Sequence, residues 1–158
     1  MEITVVNAKT LPEHTHFAAV NFCERLRKKN SNSLGFYPKS SYAASLARGR
    51  LLLATAKLKE AGWNIIAGYC HFGWTKDHCT IYQICIDKRL RRYGIATEII
   101  RRLSVQLRAE GVPIIRCKCR EGLSANKFWG SVGFQCIKQS EGGTSRGKKL
   151  NHYERFVK

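Results

Sequence analysis

The chain has 158 residues, 44% of them hydrophobic, which is the length and composition expected of one globular domain over residues 1–158. No apolar run approaches the ~20 residues that span a bilayer. The amino-terminal segment over residues 1–7 is short and acidic, which argues against a signal peptide and predicts a cytoplasmic protein with no membrane association. With 28 Lys and Arg against 11 Asp and Glu, the formal net charge is +17. A nucleic acid or another polyanion is therefore an expected partner, the alternative being a solvated surface of dispersed charge.

The first half of the chain predicts a strand, two helices and a hairpin. Residues 1–8 resemble a strand, and a helix over residues 11–29 has Pro12 near its start and basic residues in its last turn. A polar link over residues 30–35 leads to a second helix, from Pro38 or Ser41 to Ala47, which ends near Gly49. Strands over residues 50–57 and 63–74 follow, joined by a hairpin turn.

The second half alternates strands and helices. The predicted elements are a strand over 80–87, a helix over 94–110 that ends at Gly111, a strand over 113–119, a helix over 124–132, a strand over 134–138, a loop over 139–149 and a strand over 150–157. Within that loop, residues 142–147 are predicted to be mobile. The long helix is a crossover connection, so the strands on either side of it should run parallel.

The segment over residues 84–97 runs from an apolar strand through a basic turn into a helix. A strand end, a turn of backbone N–H groups and a helix dipole together form a site for a pyrophosphate. Gly94 and Ala96 are small enough for an anion to reach the backbone, and Arg91 and Arg92 add charged donors. This spacing resembles the acetyl-CoA-binding motif Arg/Gln-x-x-Gly-x-Gly/Ala of the GNAT superfamily of N-acetyltransferases. An ordinary strand-to-helix turn with a solvated basic loop is the alternative.

A second motif lies over residues 123–134, where a short helix with the aromatic pair Phe128 and Trp129 precedes Gly133 and Phe134. It is similar to the other hallmark of the GNAT superfamily. The two resemblances cover the core over residues 51–156, about two thirds of the chain. They imply an α/β (α+β) fold in which about four helices flank a twisted, mixed and mostly antiparallel sheet of about seven strands. Two neighbouring strands of that fold splay apart to admit acetyl-CoA.

The resemblance also assigns cofactor-binding residues. The backbone of three strand residues is assigned to the pantetheine amides, and the backbone over residues 92–97 to the pyrophosphate. Asn126 is a candidate for a pantetheine contact or an ordinary early-helix residue, and Trp129 packs either on the cofactor or in the core. The full cofactor-binding set is Ile84, Cys85, Ile86, Arg91, Arg92, Tyr93, Gly94, Ile95, Ala96, Thr97, Asn126 and Trp129.

The catalytic residues depart from the family pattern. Many GNAT enzymes place a tyrosine four residues before the Gly of the Gly-Phe pair as the general acid, and this chain has Trp129 there. Tyr153, Cys119 or water would then protonate the leaving thiolate, or the backbone would carry most of the catalysis; of these, Tyr153 is the candidate general acid. Gln83 stands where some relatives carry a glutamate; its amide cannot accept a proton but can orient a water. Other polar candidates for the base are Tyr82, His78, His71 and Glu121.

Seven cysteines contain no Cys-x-x-Cys pair, which argues against zinc and against a disulfide framework, and no metal site is predicted. Four of them lie in apolar strand-like runs and should pack as small hydrophobes, namely Cys70, Cys85, Cys117 and Cys136. Cys117 and Cys119 share a strand face beside positive charge, where a lowered thiol pKa is an open alternative to packing.

We interpret the chain as an acetyl-CoA-dependent N-acetyltransferase that acts on a primary amine of an unknown acceptor, as a monomer or homodimer. The size of the positive charge favours an acceptor that is anionic or associated with nucleic acid. Two alternatives stay open: a non-catalytic CoA-binding module of the same fold, which the missing tyrosine supports, and a basic nucleic-acid-binding protein. Against the last stand both CoA motifs and the absence of a zinc-finger or RNA-recognition pattern.

Overall fold

A computed structural model describes residues 1–142 and 147–158, and the chain divides into two compact units. The first unit comprises Met1–Phe72 and Gln83–Leu103, and the second comprises Gly73–Tyr82 and Ser104–Lys158. The helices and strands are β1 (Glu2–Asn7), α1 (His16–Lys29), α2 (Lys39–Ala47), β2 (Leu51–Lys57), β3 (Asn64–Trp74), β4 (Cys79–Ile86), α3 (Ile95–Ala109), β5 (Ile114–Arg120), α4 (Ala125–Ser131), β6 (Gln135–Glu141) and β7 (Lys149–Phe156). Short 3-10 turns cover Ala8–Thr10, Glu13–Thr15 and Lys88–Leu90.

The strands of the described residues form one sheet in the order β1-β2-β3-β4-β5-β7-β6. β4 runs parallel to β5, with Cys79 opposite Ile115 and Ile81 opposite Cys117, as the crossover helix predicts. The pairs β1–β2, β2–β3, β5–β7 and β6–β7 are antiparallel. With four α-helices in the described part of the chain, the predicted mixed, mostly antiparallel seven-stranded fold is confirmed.

The core of the first unit lies where α1 and α2 meet the strands that follow them. The apolar face of α1 is buried through Ala19, Cys23 and Leu26, four or three residues apart as one side of a helix requires. Burying a large aliphatic side chain stabilises a fold by about 1.5–3 kcal/mol, so this cluster anchors both helices. Its members are Ala8, Ala19, Val20, Cys23, Leu26, Tyr42, Leu46, Leu51, Leu53, Tyr69 and Cys85.

In the second unit, β5 alternates strictly between its two faces. Ile115, Cys117 and Cys119 are buried, whereas Arg116 and Lys118 between them are exposed. Such period-two alternation is typical of a strand with one face in the core and one in solvent. β7 follows the same rule at Tyr153, whose side chain is buried opposite Cys117.

The first α-helix begins later than its sequence predicts. Residues 11–29 were expected to be helical, but α1 begins at His16 and a 3-10 turn precedes it. The hydroxyl of Thr15 donates to the carbonyl of Pro12 at 2.6 Å, and the His16 ring nitrogen lies 2.8 Å from the carbonyl of Leu11. These side-chain bonds satisfy backbone carbonyls that an α-helix would otherwise use, so the helix starts after them.

The sixth strand is longer than predicted, and the loop over 139–149 is correspondingly shorter. Residues 139–141 pair with β7, and the Gln139 amide donates to the Asn151 side chain at 2.7 Å. Gln139 and Glu141 of this segment have polar cross-strand partners, Asn151 and Lys149, so polar side chains pair across the two strands. The segment 142–147 that is predicted to be mobile lies mostly outside the described residues. Cys136 was expected in the core, but it lies on this edge strand and is exposed.

No helix in the described part of the chain is long and apolar enough to cross a membrane.

Candidate functional site

The turn between β4 and α3 is the segment for which the sequence motif predicts an anion site. Arg92 adopts φ 71° and Gly94 adopts φ 79°, so two residues in the left-handed region flank Tyr93. Left-handed residues that alternate with others along a turn point successive N–H groups to one side, the arrangement of an anion-binding concavity. The left-handed conformation costs a residue with a side chain about 1–2 kcal/mol. The turn therefore holds Arg92 in a backbone conformation that an arginine disfavours.

Space over this turn is open. A Cβ atom built on Gly94 would meet no atom of the described residues within 4 Å. The Gly94 carbonyl accepts from Glu98 N at 3.0 Å, which starts the first turn of α3, and Ile95 is buried beneath it. Since the first N–H groups of an α-helix have no partner within the helix, this end can hold an anion.

Arg91 supports the turn through two hydrogen bonds to other parts of the chain. Its Nε donates to the carbonyl of Ile86 at 3.1 Å, and its Nη2 donates to Asn30 Oδ1 at 2.7 Å. Asp87 caps the preceding 3-10 turn by accepting from the backbone of Arg89 at 3.0 Å and pairs with its guanidinium at 2.9 Å. That pairing holds the pKa of the Asp87 carboxyl below its usual range. The side chains of Arg91 and Arg92 are both exposed.

The strand leading into the turn is packed closely on its neighbour. A Cβ atom on Gly68 of β3 would lie 2.6 Å from the carbonyl oxygen of Cys85, so only glycine fits there. Cys85 and Ile86 are buried and Ile84 is half-buried. Burial raises the pKa of the Cys85 thiol to about 11, so this cysteine packs as a neutral hydrophobe.

Gln83 lies at the centre of a buried polar cluster in the first unit. Its Oε1 accepts from the phenols of Tyr42 at 2.7 Å and Tyr69 at 2.8 Å, and its Nε2 donates to the carbonyl of Gly35 at 2.7 Å. Burial raises the pKa of both tyrosines, so the cluster is neutral. The amide is thus held rigidly by three partners. Its role in catalysis stays a prediction.

His71 lies beside this cluster. Its Nε2 is 2.7 Å from the Ser45 hydroxyl, and the Tyr37 ring meets it edge-on at 5.1 Å between centroids. Burial lowers the pKa of His71 to about 4, so the imidazole is neutral at physiological pH.

Asn126 joins α4 to β7 in the second unit. Its Nδ2 donates to the carbonyls of Arg120 at 3.0 Å and Leu123 at 2.8 Å. Its Oδ1 accepts from the Tyr153 hydroxyl at 2.8 Å and from Asn151 Nδ2 at 2.9 Å. All of its hydrogen-bonding capacity is used within the unit. A contact from Asn126 to a cofactor stays a prediction.

Trp129 is buried in the second unit, 4% exposed, with its ring 5.0 Å from Phe134 and 5.1 Å from Phe128. This placement agrees with core packing, one of the two roles open from the sequence. The indole also lies within hydrogen-bonding reach of the Cys119 thiol. The idea of a lowered thiol pKa at Cys117 and Cys119 is wrong, because burial is the dominant effect and raises the pKa of both.

Sequence reasoning missed Tyr42, Tyr69 and Asn151. The first two come from a helix and a strand that precede Gln83 by 41 and 14 residues, and only the fold brings their hydroxyls to its amide. A weak signal existed for Tyr69, since it shares a strand with His71 at a spacing of two residues, which places both on one face.

The comparisons with known proteins agree with this geometry. A family model described as an acetyltransferase (GNAT) domain matches residues 32–152. Among solved structures, Ard1 from Thermoplasma volcanium superposes with a TM-score of 0.78 at 15% identity, covering 100% of this chain and 99% of that chain. The ribosomal-protein-S18-alanine N-acetyltransferase from Escherichia coli gives 0.72 at 17% identity, covering 99% and 94%.

A third similar structure is a chain of the NatC complex bound to Gag peptide and CoA, with a TM-score of 0.78 at 14% identity and coverage of 100% of both chains. At such low identities these likenesses establish the fold. No curated protein sequence matches this chain significantly.

Proposed function

This chain belongs to the GNAT acetyltransferase family, and we propose that it transfers an acetyl group from acetyl-CoA to a primary amine. The observation that carries the proposal is the turn over residues 91–94, with its two left-handed residues, its open space at Gly94 and the start of α3 behind it. A similar structure, the NatC complex, was solved with CoA bound.

The residues present fit the cofactor. The backbone over residues 92–97 would hold the pyrophosphate, with the exposed Arg92 adding charge, and Arg91 would keep the turn in place through Ile86 and Asn30. The backbone of Ile84, Cys85 and Ile86 is proposed for the pantetheine amides. When bound, acetyl-CoA supplies an activated acyl group that a neutral amine can attack.

Tyr153 is the proposed general acid. Burial raises the pKa of its phenol, so the hydroxyl is protonated at neutral pH, as an acid must be. The hydrogen bond to Asn126 fixes the orientation of that hydroxyl. We assign Gln83 a positioning role, because a neutral amide held by two tyrosines can orient a water or an amine but cannot remove its proton.

The test is calorimetric titration of acetyl-CoA into the wild type, Gly94→Val and Gly111→Val. Gly111 has φ 73° and the same open space for a Cβ, so both variants incur a similar backbone cost of about 1–2 kcal/mol in folding free energy. Only Gly94→Val should block the approach of a phosphate, lowering cofactor affinity by about 100-fold or more. Wild-type protein that gives no heat at about millimolar cofactor would exclude the CoA assignment.

The acceptor is proposed to be anionic or attached to a nucleic acid, because the net charge of +17 exceeds what one cofactor needs. A second candidate function, a CoA-binding module without catalysis, is favoured by the buried Trp129 at the usual tyrosine position. Acetylated products should be detected directly by mass spectrometry after incubation with pooled tRNA, DNA, polyamines and protein. Thiol reagents are unsuitable, since Cys136 is an exposed free thiol. Cofactor binding without any acetylated product would favour the module.

A further inference from the structure

The three strands β5, β7 and β6 of the second unit present one face rich in cations. Cross-strand pairing places Lys118 opposite His152 and His152 opposite Lys138, so these three side chains form a row across the strands. Directly opposed residues have Cβ atoms about 4.5–5.5 Å apart. We call this surface the basic face; its charged and titratable members are Arg116, Lys118, Arg120, Lys138, His152 and Glu154.

Among the described residues, no carboxylate forms an ion pair with Lys118 or Lys138 of this row. Glu154 is the carboxylate of the basic face, and it is already paired with Arg116 at 2.9 Å. Desolvation, together with the charges of the exposed Lys118 and Lys138, lowers the pKa of His152. Ser140 holds the His152 ring at 2.7 Å. Like charges gathered on one surface at a cost in repulsion indicate an anionic partner.

The same face carries an exposed aromatic ring. Phe156 alternates in register with Glu154 and His152 along β7, so its side chain belongs to the basic face, and it is 69% exposed. Phe156 lies four residues from His152, about 13 Å along β7. A phenyl ring on the same face as a row of cations matches a single-stranded nucleic acid, whose bases stack on aromatic side chains while its phosphates meet lysines. An acidic protein segment would use the cations but gain little from the ring.

We propose that the basic face binds the phosphate backbone of a single-stranded nucleic acid, with Lys118 and Lys138 contacting phosphates and a base stacking on Phe156. This inference deepens the proposed function, since it states how an acceptor attached to a nucleic acid would be held. It is tested by binding alone, so its failure and a failure of acetyl transfer can be told apart.

The experiment measures fluorescence anisotropy of a labelled single-stranded RNA of about 12 nucleotides, a length within the site sizes of single-strand binders. The variant Lys118→Glu/Lys138→Glu is compared with Arg102→Glu/Arg108→Glu, which makes the same change in net charge on exposed positions of α3. We expect the first to bind about tenfold or more weakly, with a salt slope shallower by about 1.4, and the second to change affinity by less than about twofold. Equal losses in both variants would overturn the proposal.

Two further arms identify the ligand. Phe156→Ala removes an exposed ring at little cost to the fold, and it should weaken single-stranded binding by about fivefold or more while leaving the salt slope and duplex binding unchanged. Single-stranded DNA in place of RNA tells which sugar is preferred. Competition by polyglutamate as strong as that by RNA would overturn the proposal in favour of an acidic protein. Titration of acetyl-CoA into the lysine variant, with unchanged affinity, shows that its fold and cofactor turn are intact.

Discussion

His71 should make the stability of this protein fall as the pH drops below 7. Burial lowers the pKa of its imidazole from 6.5 to about 4, so the folded state keeps the ring neutral while the unfolded chain takes up a proton. The unfolded state binds more protons between those two pKa values. The contribution of His71 to stability is therefore fully present above about pH 6.5 and is lost as the pH falls towards 4.

The size of the effect follows from the two pKa values. At pH 5 the unfolded imidazole is almost fully protonated and the folded one is largely neutral, which corresponds to a loss of about 2 kcal/mol relative to pH 7. That is a large share of the roughly 5–15 kcal/mol that stabilises a typical domain. Asp87 and Glu98, which pair with Arg89 and Arg101, have pKa values below their usual range, so their contribution to stability is present above about pH 4 and is lost only at lower pH.

Urea unfolding at pH 7 and pH 5 measures this difference. His71→Gln removes the titrating group, so the loss of stability between the two pH values should shrink by about 2 kcal/mol. Ser45→Ala is the matched control: it removes the hydroxyl 2.7 Å from the ring, lowers stability by about 1 kcal/mol at both pH values and keeps the pH dependence. An unchanged pH dependence in His71→Gln would refute the reasoning from burial.

Two more predictions concern the candidate catalytic residues. Tyr153→Phe should lower turnover by about 100-fold on whichever acceptor the product screen identifies, because a general acid acts only in the transition state. Its affinity for acetyl-CoA, measured by calorimetry, should stay within about twofold of wild type. Turnover equal to that of the wild type would leave water or another side chain as the proton source. Gln83→Leu should lower the free energy of unfolding by about 3 kcal/mol or more in urea titrations, since it removes the amide that bonds to the phenols of Tyr42 and Tyr69 and to the Gly35 carbonyl. A loss below about 1 kcal/mol would mean that these groups find other partners.

The turn before α3 could be predicted from the sequence because its information is local. An apolar strand, a small residue at Gly94 and a helix with apolar residues at four-residue spacing all lie within one stretch of chain. The left-handed conformation of Arg92 could not be predicted, since a residue with a side chain disfavours it and only the surrounding contacts impose it.

The surroundings of Gln83 were out of reach for a different reason. Its partners come from residues 41 and 48 positions away as well as from the adjacent strand, and no spacing rule connects them. The exposure of Cys136 was missed because a cysteine in a strand is usually a core residue, whereas here the strand lies at the edge of the sheet.

The position of β6 at the edge of the sheet gives Lys138 a second role. Among the strands of the described residues, β6 is the outermost and pairs with β7, and the outer side of such an edge strand is a template for joining other chains into aggregated sheets. A shift in register between Cys136 and Lys138 and the charge of the lysine both discourage such pairing. Substituting Lys138 by an apolar residue would therefore remove a protection against aggregation, whereas glutamate preserves it and changes only the sign of the charge.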